Sequence, residues 1–214
     1  MTGSILIADD HPLFRQALRL AVGRALPAVR IVEAGTLAAA ASAAAGAEDL
    51  RLILLDLKMP GAVGYSGIAL LHAECPTVPI LVVSSAEGAA AADEARAFGA
   101  IGFLHKGSDL DAIEAAIAGA LGGAPSRRAA MAVGEAGDAG VDAIRETVAG
   151  LTPTQLKVLL AVLDGQLNKQ IAHNLGISEA TVKAHMTAIM RKLDVRNRTQ
   201  AALVARSLGL DLSH

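Results

Sequence analysis

Leu52-Ile53-Leu54-Leu55-Asp56-Leu57-Lys58-Met59-Pro60-Gly61 decides how the first half of the chain folds. Four apolar residues run unbroken into one carboxylate, and a proline and a glycine then turn the chain. A short apolar run bounded by turn residues reads as a strand buried on both faces, as in a parallel sheet. Asp56 then stands at the carboxyl end of a central strand, the edge where open α/β sheets bind ligands. Asp is also a common turn residue, so this stretch by itself leaves a plain turn equally open.

The flanking sequence repeats the pattern. Ser4-Ile5-Leu6-Ile7-Ala8 reads as a first strand and runs into Asp9-Asp10-His11. Pro12 suits the first helical position, and Leu13, Ala17, Leu20, Ala21 and Arg24 follow at helical spacing. Val29–Ala34 is a second strand. The alanine-rich 36–45 stretch is a helix with Thr36 as N-cap. After Asp56 come a helix over 66–72, a strand over 79–83 ending in Ser84-Ser85, and a helix over 87–98 stopped by Gly99. Ile101–Leu104 is a fifth strand, ending in His105-Lys106. Ser108-Asp109-Leu110-Asp111 opens a fifth helix in a weak capping box, broken by the run from Gly119 to Ser126. Five strand–helix units predict a parallel sheet with helices on both faces. Right-handed crossovers bring all five strand ends to one edge. Asp9, Asp10, Asp56, Ser84 and Lys106 meet there.

Carboxylates crowded together repel one another. A hard divalent cation removes the conflict, and Mg²⁺ prefers a few carboxylate oxygens, waters and a phosphate oxygen. Lys106 adds a point charge for a phosphoryl group, and Ser84 adds a hydroxyl. Asp is a competent nucleophile that can carry phosphate as an acyl phosphate. The edge can therefore accept phosphate onto Asp56.

With these residues in place, residues 3–122 resemble the receiver domain of two-component response regulators. The resemblance rests on Asp9-Asp10, on Asp56-x-x-Met59-Pro60-Gly61, on Ser84 and on Lys106-Gly107, with Phe103 at the position of the switch aromatic. It implies a flavodoxin-like fold. It also implies an Asp56 that takes phosphate from a sensor histidine kinase, and Mg²⁺ held by Asp9, Asp10, Asp56 and the backbone carbonyl of Lys58. Phe103 reads equally as plain strand core.

The second half differs in composition. Residues 151–214 carry eight Lys and Arg against four Asp and Glu, a net charge of +4, while 1–150 carries −6. That asymmetry predicts two domains, with the basic one meeting nucleic acid. Residues 123–150 are Gly/Ala-rich and read as a flexible linker with a short helix over 141–148. Arg127-Arg128 within it reads as a solvated pair. Thr152-Pro153-Thr154-Gln155 is a dense helix start, with Thr152 as N-cap, Pro153 at the first position and Gln155 closing a capping box. Leu156, Leu159, Leu160 and Leu163 form an apolar stripe, and Asp164-Gly165 ends the helix. Asn168 caps a short helix, Gly176 turns the chain, and Ser178 caps a helix from Glu179 to Leu193. Two helices joined by a short glycine-containing turn form a helix-turn-helix. Val182, Met186, Ile189 and Leu193 make its buried face. Lys183, Thr187 and Arg191 make a polar one, suited to phosphate and the major groove.

Asn168-Lys169-Gln170-Ile171-Ala172, Thr181-Val182-Lys183-Ala184-His185 and Asn197-Arg198-Thr199-Gln200-Ala201 resemble the LuxR-type helix-turn-helix. This second resemblance adds Lys169, Thr181 and Ala184 to the DNA contacts. It covers 151 to about 208, and the whole chain resembles a NarL/FixJ-family response regulator. Its implied organisation is a receiver at 1–122, a linker at 123–150 and a DNA-binding domain at 151–214. Its implied partners are promoter DNA, a histidine kinase, RNA polymerase and, on phosphorylation, a second copy of the chain through a helix at 199–208. The family usually has Arg-Glu where this chain has Thr154-Gln155, which removes an expected ion pair. Thr187 is shorter than the polar residue often found at that position.

Composition sets the outer bounds. A hydrophobic fraction of 53% with 2% aromatics means cores of Leu, Ile, Val and Ala. The single Cys75 rules out an internal disulfide and fits a reducing cytoplasm. The N-terminus does not read as a signal peptide, and no apolar run reaches the roughly 18 residues of a membrane span. Two rival functions remain: a Mg²⁺-dependent phosphatase and a receiver that is never phosphorylated. Phosphatases that use an Asp nucleophile usually carry an acid/base Asp two residues later, where this chain has Lys58. A degenerate receiver need keep neither the acidic pair nor Ser84 and Lys106.

Overall fold

The computed structural model describes residues 3–62, 64–85, 89–122, 150–206 and 210. The chain divides into two compact units, Met1–Ala136 and Gly137–His214. Most of the expected linker, with its helix at 141–148 and Arg127-Arg128, lies outside the described residues.

The first unit alternates strand and helix throughout: β1 (Ser4–Ala8), α1 (Pro12–Ala25), β2 (Arg30–Ala34), α2 (Leu37–Ala45), β3 (Leu50–Leu55), α3 (Ser66–Glu74), β4 (Ile80–Ser84), α4 (Ala89–Ala97), β5 (Gly102–His105) and α5 (Leu110–Leu121). The five strands form one parallel sheet in the order β2-β1-β3-β4-β5. From β1 the chain first steps to one side, to β2, and then returns past β1 to β3. The strand order therefore reverses between β1 and β3, and such a reversal opens a crevice at the carboxyl ends of those two strands.

Side-chain alternation builds two cores. Ile5, Ile7, Leu52, Leu54, Leu81 and Val83 pack with Leu18, Val22, Ile113 and Ile117 of α1 and α5. The intervening Leu6, Ile53, Leu55 and Val82 are as deeply buried on the other face, which is why β3 shows an unbroken apolar run. Each such Leu, Ile or Val contributes about 1.5–3 kcal/mol on burial.

Several local expectations change. The inward face of α1 is Phe14, Leu18, Ala21, Val22 and Ala25, whereas Leu13 is 87% and Leu20 57% exposed. Both stripes have helical spacing, and only the one aligned with the sheet is buried. The N-cap of α5 is Asp109, not Ser108: its carboxylate accepts the Ala112 amide at 2.8 Å. Ser108 is engaged in the preceding turn, its amide donating to the His105 carbonyl at 3.0 Å. α5 passes through Gly119 and ends at Gly122, inside the glycine-rich run expected to break it. A helix-interior glycine costs only about 1 kcal/mol, less than the packing of Ile113 and Ile117 supplies. Thr36 caps α2 as expected, accepting from the Ala39 amide at 3.2 Å.

The second unit comprises α6 (Pro153–Leu163), α7 (Asn168–Leu175), α8 (Glu179–Lys192) and α9 (Arg198–Ala205). Thr152 and Gln155 form the reciprocal capping box at the start of α6. Leu156, Leu159 and Leu163 are buried there with Val158 and Val162, while Leu160 is half-exposed. Asn168 is the first residue of α7 rather than its cap. The Leu167 amide is satisfied by the Gln170 side chain at 2.7 Å, which frees Asn168 Oδ1 to accept from Arg198 at 2.9 Å. Gly176 ends α7 in the left-handed region, φ +65°, a conformation glycine adopts without strain. Ser178 caps α8 as expected, accepting from the Thr181 amide at 3.1 Å. Among the described residues, no helix is long and apolar enough to cross a membrane.

Candidate phosphoryl-acceptor pocket and DNA-reading helix

The strand ends are stitched together by backbone. The Asp56 amide donates to the Ala8 carbonyl at 2.8 Å, Asp9 to Ala34 at 3.0 Å, and Lys106 to Ser84 at 2.8 Å. These bonds extend the ladders just beyond the strands and fix Asp9, Asp56 and Lys106 at the same edge. The loop after Asp56 is pinned too: the Pro60 carbonyl accepts from the Leu37 amide at 2.9 Å, and Met59 is buried.

Asp9 and Asp56 have almost no solvent exposure. One Asp56 oxygen accepts from the Lys58 amide at 3.1 Å, and the other accepts from Lys106 Nζ at 2.8 Å. The same ammonium lies 2.6 Å from Asp9 Oδ2 and 4.8 Å from the centre of the Phe14 ring. Lys106 thus bridges the two carboxylates over an aromatic face, a favourable setting for a cation. Burial pushes the Asp56 carboxyl above the usual carboxylate range, against the opposing pull of Lys106 and the Lys58 amide. Burial works against the Lys106 charge, but its contacts with Asp56 and Asp9 outweigh that and hold its pKa above the usual lysine value.

One ammonium does not neutralise three carboxyl groups. Asp9 Oδ2 and Asp10 Oδ1 are buried and accept no hydrogen bond among the described residues. Anionic oxygens held this close repel one another even with Lys106 beside Asp9 Oδ2 and His11 beside Asp10 Oδ1, and a divalent cation would relieve that repulsion. Asp9, Asp10, His11 and Asp56 each place one ligand atom within 4.8 Å of the others. The oxygen-rich set is compatible with Mg²⁺. A pocket of about 410 Å³ opens above it, lined by His11, Phe14, Asp56, Ser85 and Lys106 among others.

Ser84 is fully buried at the end of β4, and Ser85 is the hydroxyl residue that lines the open pocket. Phe103 is half-buried in β5, opposite Val82. Lys58 is exposed. Residues that sequence reasoning did not single out also shape the site. Arg15 donates to the Asp9 carbonyl at 2.7 Å and pairs with Glu33 at 3.3 Å, so it holds the acidic turn from α1. Phe14, beneath Lys106, and Ser85 are the others.

In the second unit Val182, Met186, Ile189 and Leu193 are buried, while Thr181, Lys183, Ala184, Thr187 and Arg191 all face solvent on α8. Lys169 is exposed on α7. The Thr187 hydroxyl donates to the Lys183 carbonyl at 3.0 Å, so part of its capacity is spent on its own helix. The ion pair expected to be missing at Gln155 has a substitute: Lys192 Nζ donates to Gln155 Oε1 at 3.0 Å and to the Gly150 carbonyl at 2.9 Å. Arg198, from α9, holds Asn168 and the Gln166 carbonyl and so ties α9 to the start of α7.

Comparison with known proteins agrees with this geometry. The response regulator receiver domain family matches residues 5–118, and the bacterial regulatory proteins of the luxR family match residues 149–205. The glycerol metabolism activator of Pseudomonas putida is 41% identical over 209 residues, covering 94% of each chain. The nitrate/nitrite response regulator protein NarP of Escherichia coli (strain K12) is 34% identical over 202 residues, covering 94% of this chain and 93% of that one. The solved structure of the Salmonella typhimurium RcsB response regulator overlays with a TM-score of 0.53 at 22% identity, covering 98% of this chain and all of that one. At that identity the overlay speaks for the fold alone. A receiver followed by a LuxR-type DNA-binding domain, with relatives that match almost end to end, means that this chain belongs to the NarL/LuxR-type family of two-component response regulators.

Proposed function

We propose that Asp56 accepts a phosphoryl group from a sensor histidine kinase and that the modified protein dimerises on promoter DNA. The observation that carries this reading is Lys106, held between Asp56 and Asp9 at the mouth of an open pocket. A carboxylate oxygen of Asp56 attacks the phosphorus of a phosphohistidine. The P–N bond breaks, and the departing imidazole keeps the electron pair and takes a proton from solvent. Lys106 then turns from the Asp56 oxygen to the phosphoryl oxygens and stabilises their charge. Asp9, Asp10, Asp56 and the Lys58 carbonyl would hold Mg²⁺, which supplies further neutralisation of that charge. Ser84 and Phe103 are the proposed switch pair. Lys58, two residues after Asp56, offers no carboxylate to activate water, so phosphate is held rather than turned over.

On the DNA side, Lys183, Thr187 and Arg191 read the major groove with Thr181 and Ala184, and Lys169 binds backbone phosphate. Residues 123–150 serve as the linker between a receiver at 1–122 and a DNA-binding domain at 151–214. One helix-turn-helix reads few base pairs, so two copies on half-sites about one helical turn apart are needed for specific affinity. Joining them through the receivers makes the second contact intramolecular. Promoter binding makes RNA polymerase a partner and a cytoplasmic location the natural one. Binding of the unphosphorylated and acetyl-phosphate-treated protein to its operator, read beside sedimentation, tests this. Treated protein should sediment as a dimer and bind more tightly. Tighter binding by a species that stays monomeric would overturn the dimer reading in favour of release of a masked recognition helix.

A further inference from the structure

His11 stands beside the acidic pair, and the phosphoryl-transfer reading gives it no part. Its Nδ1 lies 2.7 Å from Asp10 Oδ1 and 3.6 Å from Asp9 Oδ1. The shorter contact is a charge contact without hydrogen-bond geometry, since Asp10 Oδ1 has no hydrogen-bond partner among the described residues. Two ligand atoms bound at right angles to one ion, each about 2.1 Å from it, lie about 3.0 Å apart. Nδ1 and Oδ1 are therefore already close to the spacing of neighbouring ligands on a shared ion. The His11 backbone is fixed from both sides. Its amide donates to Asp9 Oδ1 at 2.7 Å, and it precedes Pro12, which restricts its conformation to the extended one observed, φ −86°, ψ 108°. The ring itself is 66% exposed, open to an arriving ion. With Asp9, Asp10 and Asp56 it completes a set of three carboxylates and one imidazole.

We propose that His11 is a nitrogen ligand that fits this site for late first-row divalent ions such as Co²⁺ and Zn²⁺, while Mg²⁺ is held by the oxygens alone. The proposal rests on the reading of the acidic pair as a divalent-cation site. Imidazole suits these ions, whereas carboxylate, carbonyl and water suit Mg²⁺. Almost any site binds Co²⁺ more tightly than Mg²⁺, so the preference itself decides nothing; its dependence on His11 does.

The test uses the full-length, tag-free protein and its His11→Ala variant, titrated calorimetrically with MgCl₂ and with CoCl₂, with the visible absorption of bound Co²⁺ recorded. His11 makes no side-chain capping hydrogen bond to α1, so the variant keeps the helix start. Mg²⁺ competition isolates this site from the other histidines. The expected result is Co²⁺ binding weakened by at least roughly 10-fold in the variant, since loss of even an outer-shell partner costs that much, with an altered Co²⁺ spectrum and Mg²⁺ affinity within about twofold. Equal Co²⁺ affinity and spectrum in both proteins, with Mg²⁺ still competing, would overturn the His11 role and leave the cation site standing. An equal loss for both ions would make His11 a positioning residue and overturn the selectivity. Absence of Mg²⁺-competable binding in either protein would remove the cation site together with the proposal.

Discussion

Replacing Asp56 by Asn should stabilise the metal-free receiver at neutral pH, although it deletes an ion pair. Asp56 is 2% exposed and shares one ammonium with Asp9. Burial is the largest influence on its carboxyl and raises its pKa, and the Asp9 charge adds to the rise. A folded-state pKa above the unfolded one means that the protonated group favours folding. That contribution is full below the unfolded pKa and is lost as pH rises through the folded one. At pH 7 ionised Asp56 therefore works against the fold. The amide keeps the side-chain shape and its oxygen still accepts from the Lys58 amide, while its NH2 cannot accept from Lys106, which must turn wholly to Asp9. Lys106 keeps Asp9 at 2.6 Å, so no buried cation is stranded. Replacing a buried ion pair by uncharged groups of similar volume is neutral or stabilising by about 1–4 kcal/mol. Because the Asp9–Lys106 pair remains here, the gain is at the low end, about 1 kcal/mol. Hydrogen exchange of the β1 and β3 amides in EDTA reads this for the receiver alone. The gain should shrink as pH falls toward the carboxylate range, where wild-type Asp56 protonates. Saturating Mg²⁺ should reverse it, since about 2.7 kcal/mol of stabilisation at a hundred times Kd goes chiefly to the protein with the full ligand set. A variant less stable than wild type by more than about 1 kcal/mol in EDTA at pH 7 would refute the reasoning, because the Lys106 pair would then outweigh desolvation.

Leu18→Ala should cost about 2–5 kcal/mol by opening a cavity between α1 and the sheet, while Leu13→Ala, on the exposed face, should change stability by less than about 0.5 kcal/mol; urea denaturation compares the two. Gln155→Ala removes one arm of the α6 capping box and the acceptor for Lys192, and thermal unfolding of the DNA-binding domain should show a loss of about 1–2 kcal/mol. Lys183→Ala should weaken operator binding and lower the salt slope by about one unit if it meets phosphate. Thr187→Ala should have a smaller effect, because its hydroxyl already serves the Lys183 carbonyl; fluorescence anisotropy across a salt titration separates these outcomes.

The parallel sheet was legible because its central strands β1, β3 and β4 are apolar runs that lead into polar residues, and β3 with Asp56 is the clearest. The acidic pair, Asp56 and Lys106 were legible for the same reason, since topology alone brings strand ends together. The inward face of α1 was not. Leu13 and Leu20 are as apolar as Leu18, and only the sheet decides which stripe turns in. Arg15 and Phe14 were missed because their partners, the Asp9 carbonyl and the Lys106 ammonium, become neighbours only once α1 lies beside the strand ends. Asp109 and Ser108 compete for one cap, and local sequence does not rank an Asp against the Ser before it. The Gln155–Lys192 contact joins residues 37 positions apart. Departure from the family's Arg-Glu hid the fact that an amide oxygen can take the lysine in place of a carboxylate.

Asp56 is the residue proposed to carry the phosphoryl group. Treating the protein with acetyl phosphate and Mg²⁺, reducing the acyl phosphate with borohydride and mapping the product by peptide mass spectrometry tests it directly. A single modified residue is expected, at Asp56, with no modification in Asp56→Asn. Modification of Asp9 or Asp10 in the wild-type protein, or equal labelling of the Asp56→Asn variant, would contradict it.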